Sequence, residues 1–149
     1  MLRHIKENKK DFLPLLLLGD EQESMIDRYL ERGELYVLYR GERAIAVAVV
    51  TDEGNGLCEL KNLAVDEAFQ RQGYGSRLLN ILCERYGRDF HSMQLGTGES
   101  PLTLPFYEKN GFVYSHRIPN FFTEHYDHPI IEEGVRLVDM VYLKKRLKD

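Results

Sequence analysis

The 149-residue chain is short of several things, and each shortage closes off a class of protein. It has only two cysteines, Cys58 and Cys83, and they do not form a Cys-x-x-Cys pair. A disulfide framework and a paired-cysteine metal or redox motif are thereby excluded, and buried free thiols in a reducing compartment are expected. Positive charge is not in excess: 20 Lys and Arg stand against 24 Asp and Glu, a net charge of −4. Non-specific nucleic-acid binding needs clustered cations, and the basic cluster at residues 144–148 reads as a solvated tail. Long apolar runs are missing too. Phe12-Leu13-Pro14-Leu15-Leu16-Leu17-Leu18, preceded by Lys6, Lys9 and Lys10, copies the outline of a signal peptide. It is too short to span a bilayer, contains Pro14, and leads into Gly19-Asp20-Glu21 without a small-residue cleavage pattern. No membrane association and a cytoplasmic location are expected. Repeats, low-complexity tracts and linker-like stretches are absent as well, so residues 1–149 are read as a single domain.

What is present is an ordinary globular composition, 43% hydrophobic and 30% charged, long enough to bury roughly 70% of the unfolded surface. Residues 2–5 suit a short first strand, and residues 11–18 a buried helix or turn. Residues 22–32 carry Met25, Ile26, Tyr29 and Leu30 at helical spacing, with Gly33 as a stop. Two β-rich runs, residues 35–39 and 44–50, are joined by Arg40-Gly41-Glu42 as a hairpin, and residues 52–56 form a second turn. The strand over residues 57–65 breaks strict alternation, because its apolar positions change parity between Leu60 and Leu63. A β-bulge near Lys61 and Asn62 produces that pattern. A helix over 74–86 places Leu78, Leu79, Leu82, Cys83 and Tyr86 on one face. A strand over 91–95, a helix starting at Ser100 or Thr103 and ending at Asn110-Gly111, and strands over 112–115 and 135–143 complete the chain. Strands, then helix, strand, helix and a final hairpin predict a mixed sheet with helices on both faces.

The chemistry concentrates between the bulged strand and the helix after it. Gln70-Arg71-Gln72-Gly73-Tyr74-Gly75-Ser76 is a polar turn whose glycines open a helix. Such a turn lets backbone N–H groups converge on an anion at the positive end of the helix. A Rossmann dinucleotide site is excluded, since its third glycine would fall at Leu78 and the polar turn before the glycines is too long. One strand and one loop later comes Phe106-Tyr107-Glu108-Lys109-Asn110-Gly111-Phe112. Together these two runs closely resemble the GNAT superfamily of N-acetyltransferases, whose acyl-CoA site begins Arg/Gln-x-x-Gly-x-Gly/Ala. The resemblance covers roughly residues 34–113 and thins toward both ends.

The resemblance implies an α/β (α+β) fold with a mixed, mostly antiparallel sheet, helices on both faces, and a central strand pair splayed by the bulge. It implies acetyl-CoA as co-substrate, held by Gln70, Arg71, Gln72, Gly73, Tyr74, Gly75 and Ser76 at its pyrophosphate. The main chain of Leu63, Ala64 and Val65 would pair with the pantetheine arm, and one N–H there would polarise the thioester carbonyl. Ser100 falls where many members carry an Asn that contacts the CoA arm, although a plain N-cap role fits it equally. Tyr107 falls where a phenol protonates the departing CoA thiolate; a packed helix-face tyrosine is the structural alternative. Glu59 lies close to the position of a general base, with an exposed glutamate or one paired to Lys61 as the alternative.

His116, His125, His128 and Asp127 cluster in sequence, but a loop bearing Pro129 offers no rigid ligand scaffold, so no metal is expected. Asn120, Phe121, Phe122, Glu124, Tyr126 and Asp127 suit an aromatic, acidic pocket for a cationic amine. The expected activity is acetyl transfer to a primary amine by direct attack in a ternary complex, on a small molecule rather than a protein. A protein N-acetyltransferase and a non-catalytic acyl-CoA-binding module stay open as alternatives, and a homodimer is compatible with the sequence.

Overall fold

The structure, a computed structural model, describes residues 1–148. Seven strands form one sheet in the order β1-β2-β3-β4-β5-β9-β6. Their ranges are β1 Leu2–Ile5, β2 Glu34–Arg40, β3 Arg43–Gly54, β4 Leu57–Val65, β5 Ser92–Gly98, β6 Val113–Ile118 and β9 Met140–Arg146. Between β6 and β9, Ile131–Glu132 (β7) and Val135–Arg136 (β8) make a separate two-stranded ribbon. Every neighbouring pair in the large sheet is antiparallel except β4 and β5. A parallel pair needs a crossover, and helix α3 (Tyr74–Tyr86) supplies it. The other helices are α1 (Leu13–Gly19), α2 (Glu23–Ile26), α4 (Thr103–Lys109) and α5 (Phe121–His125).

Side-chain alternation sorts the core into two layers. Leu35 and Val37 of β2, with Val47 and Val49 of β3, pack under α1 and α2 against Leu16, Ile26 and Leu30. Tyr36 and Leu38, with Ala46, Ala48 and Val50, face the opposite way and meet Leu78, Leu79 and Leu82 of α3. These three leucines are fully buried, and each contributes about 1.5–3 kcal/mol of hydrophobic stabilisation. Helices therefore cover both faces, as expected. The bulge is real as well: Val49 pairs with Asn62 and Val50 with Leu60, so Lys61 is the extra residue. Ahead of it Cys58 and Leu60 face α3; beyond it Ala64 turns to the α1 layer, and Leu63 and Val65 take the α3 side.

Three sequence expectations need correction. Residues 22–32 are not one helix: α2 stops at Ile26 and hydrogen-bonded turns follow. The buried ammonium of Lys9 holds the end of these turns, donating to the carbonyls of Leu30 (3.0 Å), Glu31 (3.2 Å) and Gly33 (2.7 Å). Residues 144–148 are not a solvated tail. Lys144, Lys145 and Arg146 belong to β9 between β5 and β6, and Lys145 Nζ donates to the Asn110 carbonyl at 2.9 Å. The run over 135–143 is not one strand either, but β8, a bend, and the first half of β9.

Candidate active site

The turn before α3 is built from two residues in the left-handed region, Arg71 (φ 63°) and Gly73 (φ 88°). Reversals of this kind point successive N–H groups to one side, and the first turn of α3 adds its own unpaired donors. The first closed bond of the helix runs from Arg77 N–H to the Gly73 carbonyl, leaving the N–H groups of Tyr74, Gly75 and Ser76 ahead of it. A cleft of about 550 Å³ opens over them. Gln70, Arg71, Gly73, Tyr74, Gly75 and Ser76 all line it, as do Leu63, Ala64 and Val65. Gln72 does not; its side chain turns back to the Ala68 carbonyl. Ser100 is also outside the cleft. It is 2% exposed, and its Oγ accepts the Leu102 N–H at 3.3 Å, leaving Thr103, one turn on, to line the wall.

The cleft leads into a slot between β4 and β5. Their parallel pairing runs only from Leu57–Ser92 to Leu60–Leu95, after which the strands diverge although both continue. Gln70 Nε2 donates to the Val65 carbonyl at 2.9 Å, so that carbonyl points away from β3. By the two-residue repeat of a strand, the peptide groups of Leu63 share that direction, and the amide of Ala64 belongs to the β3 ladder. Tyr107 lines both cleft and slot. Its ring is wedged edge-on between Phe106 (5.0 Å) and Phe112 (5.9 Å). Its hydroxyl has no hydrogen-bond partner among the described residues, and burial pushes the phenol well above its ordinary range.

On the far side of the slot lies a second pocket of about 390 Å³, which shares Leu60, Lys61 and Gly96 with it. Glu59 stands in its wall at 4% exposure. Its carboxylate accepts from Gln94 Nε2 (2.7 Å), Lys61 Nζ (2.6 Å) and the Tyr142 hydroxyl (3.3 Å). A carboxylate has about four acceptor sites, so one is left for an incoming N–H or water. Asp20 is the pocket's other carboxylate, fixed by the hydroxyls of Tyr126 (2.6 Å) and Tyr29 (3.0 Å). Desolvation raises the Asp20 carboxyl above its ordinary range despite those bonds. Asn62, the residue after the bulge, anchors the array: its Nδ2 donates to the Leu16 carbonyl (2.9 Å) and to Tyr29 (3.2 Å).

Cleft, slot and second pocket adjoin one another through shared wall residues. The acetyltransferase (GNAT) domain profile matches residues 31–114. A relative from Bacillus subtilis strain 168, the uncharacterized N-acetyltransferase YvbK, is 35% identical over 142 residues, covering 93% of this chain and 90% of that protein. The chain belongs to the GNAT family. Solved GNAT structures superpose along nearly its whole length. An Elizabethkingia anophelis GNAT acetyltransferase with acetyl-CoA bound has a TM-score of 0.92 at 32% identity, covering 98% of this chain and 97% of that one. A Bacillus subtilis acetyltransferase in complex with CoA has a TM-score of 0.89 at 33% identity, with 97% of each chain covered. This GNAT chain is thus an acetyltransferase with the mixed, splayed sheet its sequence led us to expect.

The lining of the second pocket differs from the acceptor pocket expected from the sequence. Phe121 and Tyr126 do line the pocket, whereas Asn120, Phe122, Glu124 and Asp127 do not. The acidic groups are Asp20 and Glu59 instead. Asp20 went unnoticed because Gly19-Asp20 after an apolar run reads as a surface turn, and its two phenol partners lie 9 and 106 residues away. His116 stacks on Tyr142 (4.6 Å), His125 lies tilted against Phe121 (4.5 Å), and exposed His128 pairs with Asp127. The described residues contain no group of three or more His, Cys, Asp or Glu placed to hold a metal. No helix among them is long and apolar enough to cross a membrane.

Proposed function

We propose that the protein transfers the acetyl group of acetyl-CoA to a primary amine on a small molecule, by direct attack in a ternary complex. The observation that carries this reading is the run of adjoining cavities from a cleft over free helix N–H groups, by the slot, to a pocket holding two carboxylates. The pyrophosphate would sit at Gly73–Ser76, and the pantetheine arm would run along the peptide groups of Leu63 and Val65 into the slot.

The acceptor enters from the other side as an ammonium ion. It gives one proton to Glu59, or to a water that Glu59 orients through its remaining acceptor site. The nitrogen lone pair then forms the N–C bond to the thioester carbonyl, whose oxygen is stabilised by a main-chain N–H of β4. As the C–S bond breaks, the sulfur leaves with its electron pair and takes a proton from Tyr107. The second nitrogen proton restores the phenol, and the first leaves Glu59 for solvent. The walls of Phe121 and Tyr126 favour a small acceptor over a protein segment.

Calorimetric titration with acetyl-CoA tests the reading, and Gly73→Glu is its control. Position 73 has open space but a φ of +88°, so the substitution puts a strained residue and a negative charge at the anion site. Saturable one-to-one binding that Gly73→Glu abolishes while the variant stays folded is expected. Equal affinity in the variant would move the pyrophosphate elsewhere, and no binding by the parent protein at millimolar ligand would end the acetyl-CoA reading.

A further inference from the structure

The charges lining the acceptor-side pocket do not all find partners within the protein. Two of its cations are matched: Lys61 by Glu59 at 2.6 Å and Arg32 by Glu53 at 3.1 Å. Arg28 is different. This exposed residue lines the same pocket, and the one hydrogen bond of its guanidinium among the described residues goes to the thioether of Met25, 3.4 Å away. A thioether is a weak acceptor and carries no charge. Asp20 is the complementary case: it meets only neutral hydroxyls and backbone, and no cation within ion-pair distance. The pocket thus presents one uncompensated positive and one uncompensated negative charge, with apolar wall from Met25, Phe121 and Met140.

Their positions have a direction. Asp20 directly follows Gly19, which lines the slot, and Glu59 directly precedes Leu60, which lines both slot and pocket. Neither Arg28 nor Arg32 reaches the slot. Lys61 also lines the slot, but its ammonium is held by Glu59, so Asp20 is the unmatched charge nearer the slot and Arg28 the unmatched charge farther from it. A guanidinium offers a planar fork matched to a carboxylate, and bidentate pairing of that kind sets orientation as well as affinity.

We infer that the acceptor is an amino carboxylate: its ammonium is drawn to Asp20 and Glu59, its carboxylate docks on Arg28, and an apolar body lies between them. The inference rests on the acceptor-side assignment above and narrows it from amines in general to amines that carry an anion. A pocket of about 390 Å³ lies within the range of small-molecule sites and suits a single amino acid better than a polypeptide.

The test is a panel of amino acids, each paired with its decarboxylated amine (phenylalanine with 2-phenylethylamine, leucine with isoamylamine, glutamate with 4-aminobutyrate as a pair that keeps one carboxylate). CoA release from acetyl-CoA is measured for the parent protein and Arg28→Ala. At least one amino carboxylate should be acetylated with kcat/KM roughly tenfold or more above its decarboxylated partner, the scale of one charged hydrogen bond. Arg28→Ala should erase that preference by raising KM for the carboxylate at least tenfold relative to KM for the plain amine. Arg28→Lys should recover part of it. A preference for plain amines, or one that survives Arg28→Ala, overturns the inference. Acetyl-CoA binding with no turnover of any amino carboxylate overturns it too and leaves the acetyl-CoA site standing, whereas failure to bind acetyl-CoA removes both.

Discussion

Replacing Tyr107 by phenylalanine separates a chemical role from a packing role, because the two lead to opposite outcomes. The phenol ring packs edge-on against Phe106 and Phe112, and phenylalanine keeps both contacts. The hydroxyl that is lost has no partner among the described residues, so no internal hydrogen bond is broken. Tyr107 borders the open cleft and slot, so Tyr107→Phe should change stability by no more than about 1 kcal/mol. For a domain of this size that is a change of no more than roughly 2–4 °C in Tm. Catalysis should change far more. A positioned general acid contributes roughly 10²–10⁴-fold, so kcat should fall at least about a hundredfold, or about 2.7 kcal/mol of barrier. Acetyl-CoA affinity should stay within about threefold, because the hydroxyl acts on the sulfur only as the C–S bond breaks. Desolvation raises the folded-state phenol above the ordinary value of about 10, which keeps it protonated and competent through neutral and mildly alkaline pH. The parent profile should therefore show no alkaline loss from Tyr107 below about pH 10. The assay is thiol release under saturating acceptor, beside calorimetry with acetyl-CoA and a thermal melt. An unchanged kcat, or a rate loss that comes with a lower Tm, would refute the reasoning.

Other consequences can be checked with the same preparation. Glu59→Gln should lower kcat by roughly a hundredfold or more while acetyl-CoA affinity holds, and a retained rate would shift the base to another group. Gly19→Ala would set a Cβ 2.2 Å from Asn62 Oδ1, an overpacking that costs about 1–3 kcal/mol and should depress Tm by several degrees. The double variant with Asn62→Ala should fall less than the two singles added together; strict additivity would show that the contact is not the cause. Burial pushes the Cys58 thiol up to about 12, and Cys83 also above its usual range. Since the folded-state value of Cys58 exceeds the unfolded value of about 8.5, its stability contribution is complete below that pH and is lost as pH rises toward about 12. A thiol dye at pH 8 should find neither cysteine in the native protein and both after denaturation, which keeps the CoA-release assay clean. Rapid native labelling would contradict that burial.

The sequence was readable where local pattern and backbone chemistry coincide. The bounds of α3, the bulge at Lys61 and the glycine turn follow from periodicity, parity and positive-φ requirements, each contained within about a dozen residues. Legibility failed where a distant group decides the outcome. Residues 22–32 have the spacing of one helix, but the chain beyond Ile26 runs in turns whose carbonyls at Leu30, Glu31 and Gly33 are held by the distant Lys9. The basic run at 144–146 has the composition of a tail, yet alternate residues Val141 and Leu143 bury it as a strand. Ser100 fitted both a ligand contact and an N-cap, and its burial comes from packing that no local pattern displays.

The same division explains why the donor half of the site is easier to read than the acceptor half. The donor half consists of main chain: a left-handed turn, a helix start and a strand edge, all within residues 60–77. Only local sequence is needed to fix them, so a short motif suffices. The acceptor half consists of side chains from Asp20, Arg28, Glu59 and Phe121–Tyr126, four separate stretches that meet through tertiary packing. The inserted residue at Lys61 joins the halves. It frees β4 from β5 to open the slot, turns Asn62 toward Leu16 and Tyr29, and lays its own ammonium on Glu59. In the proposed assignment donor and acceptor chemistry meet at one strand defect, and Arg28, which lies outside that defect, would select the acceptor.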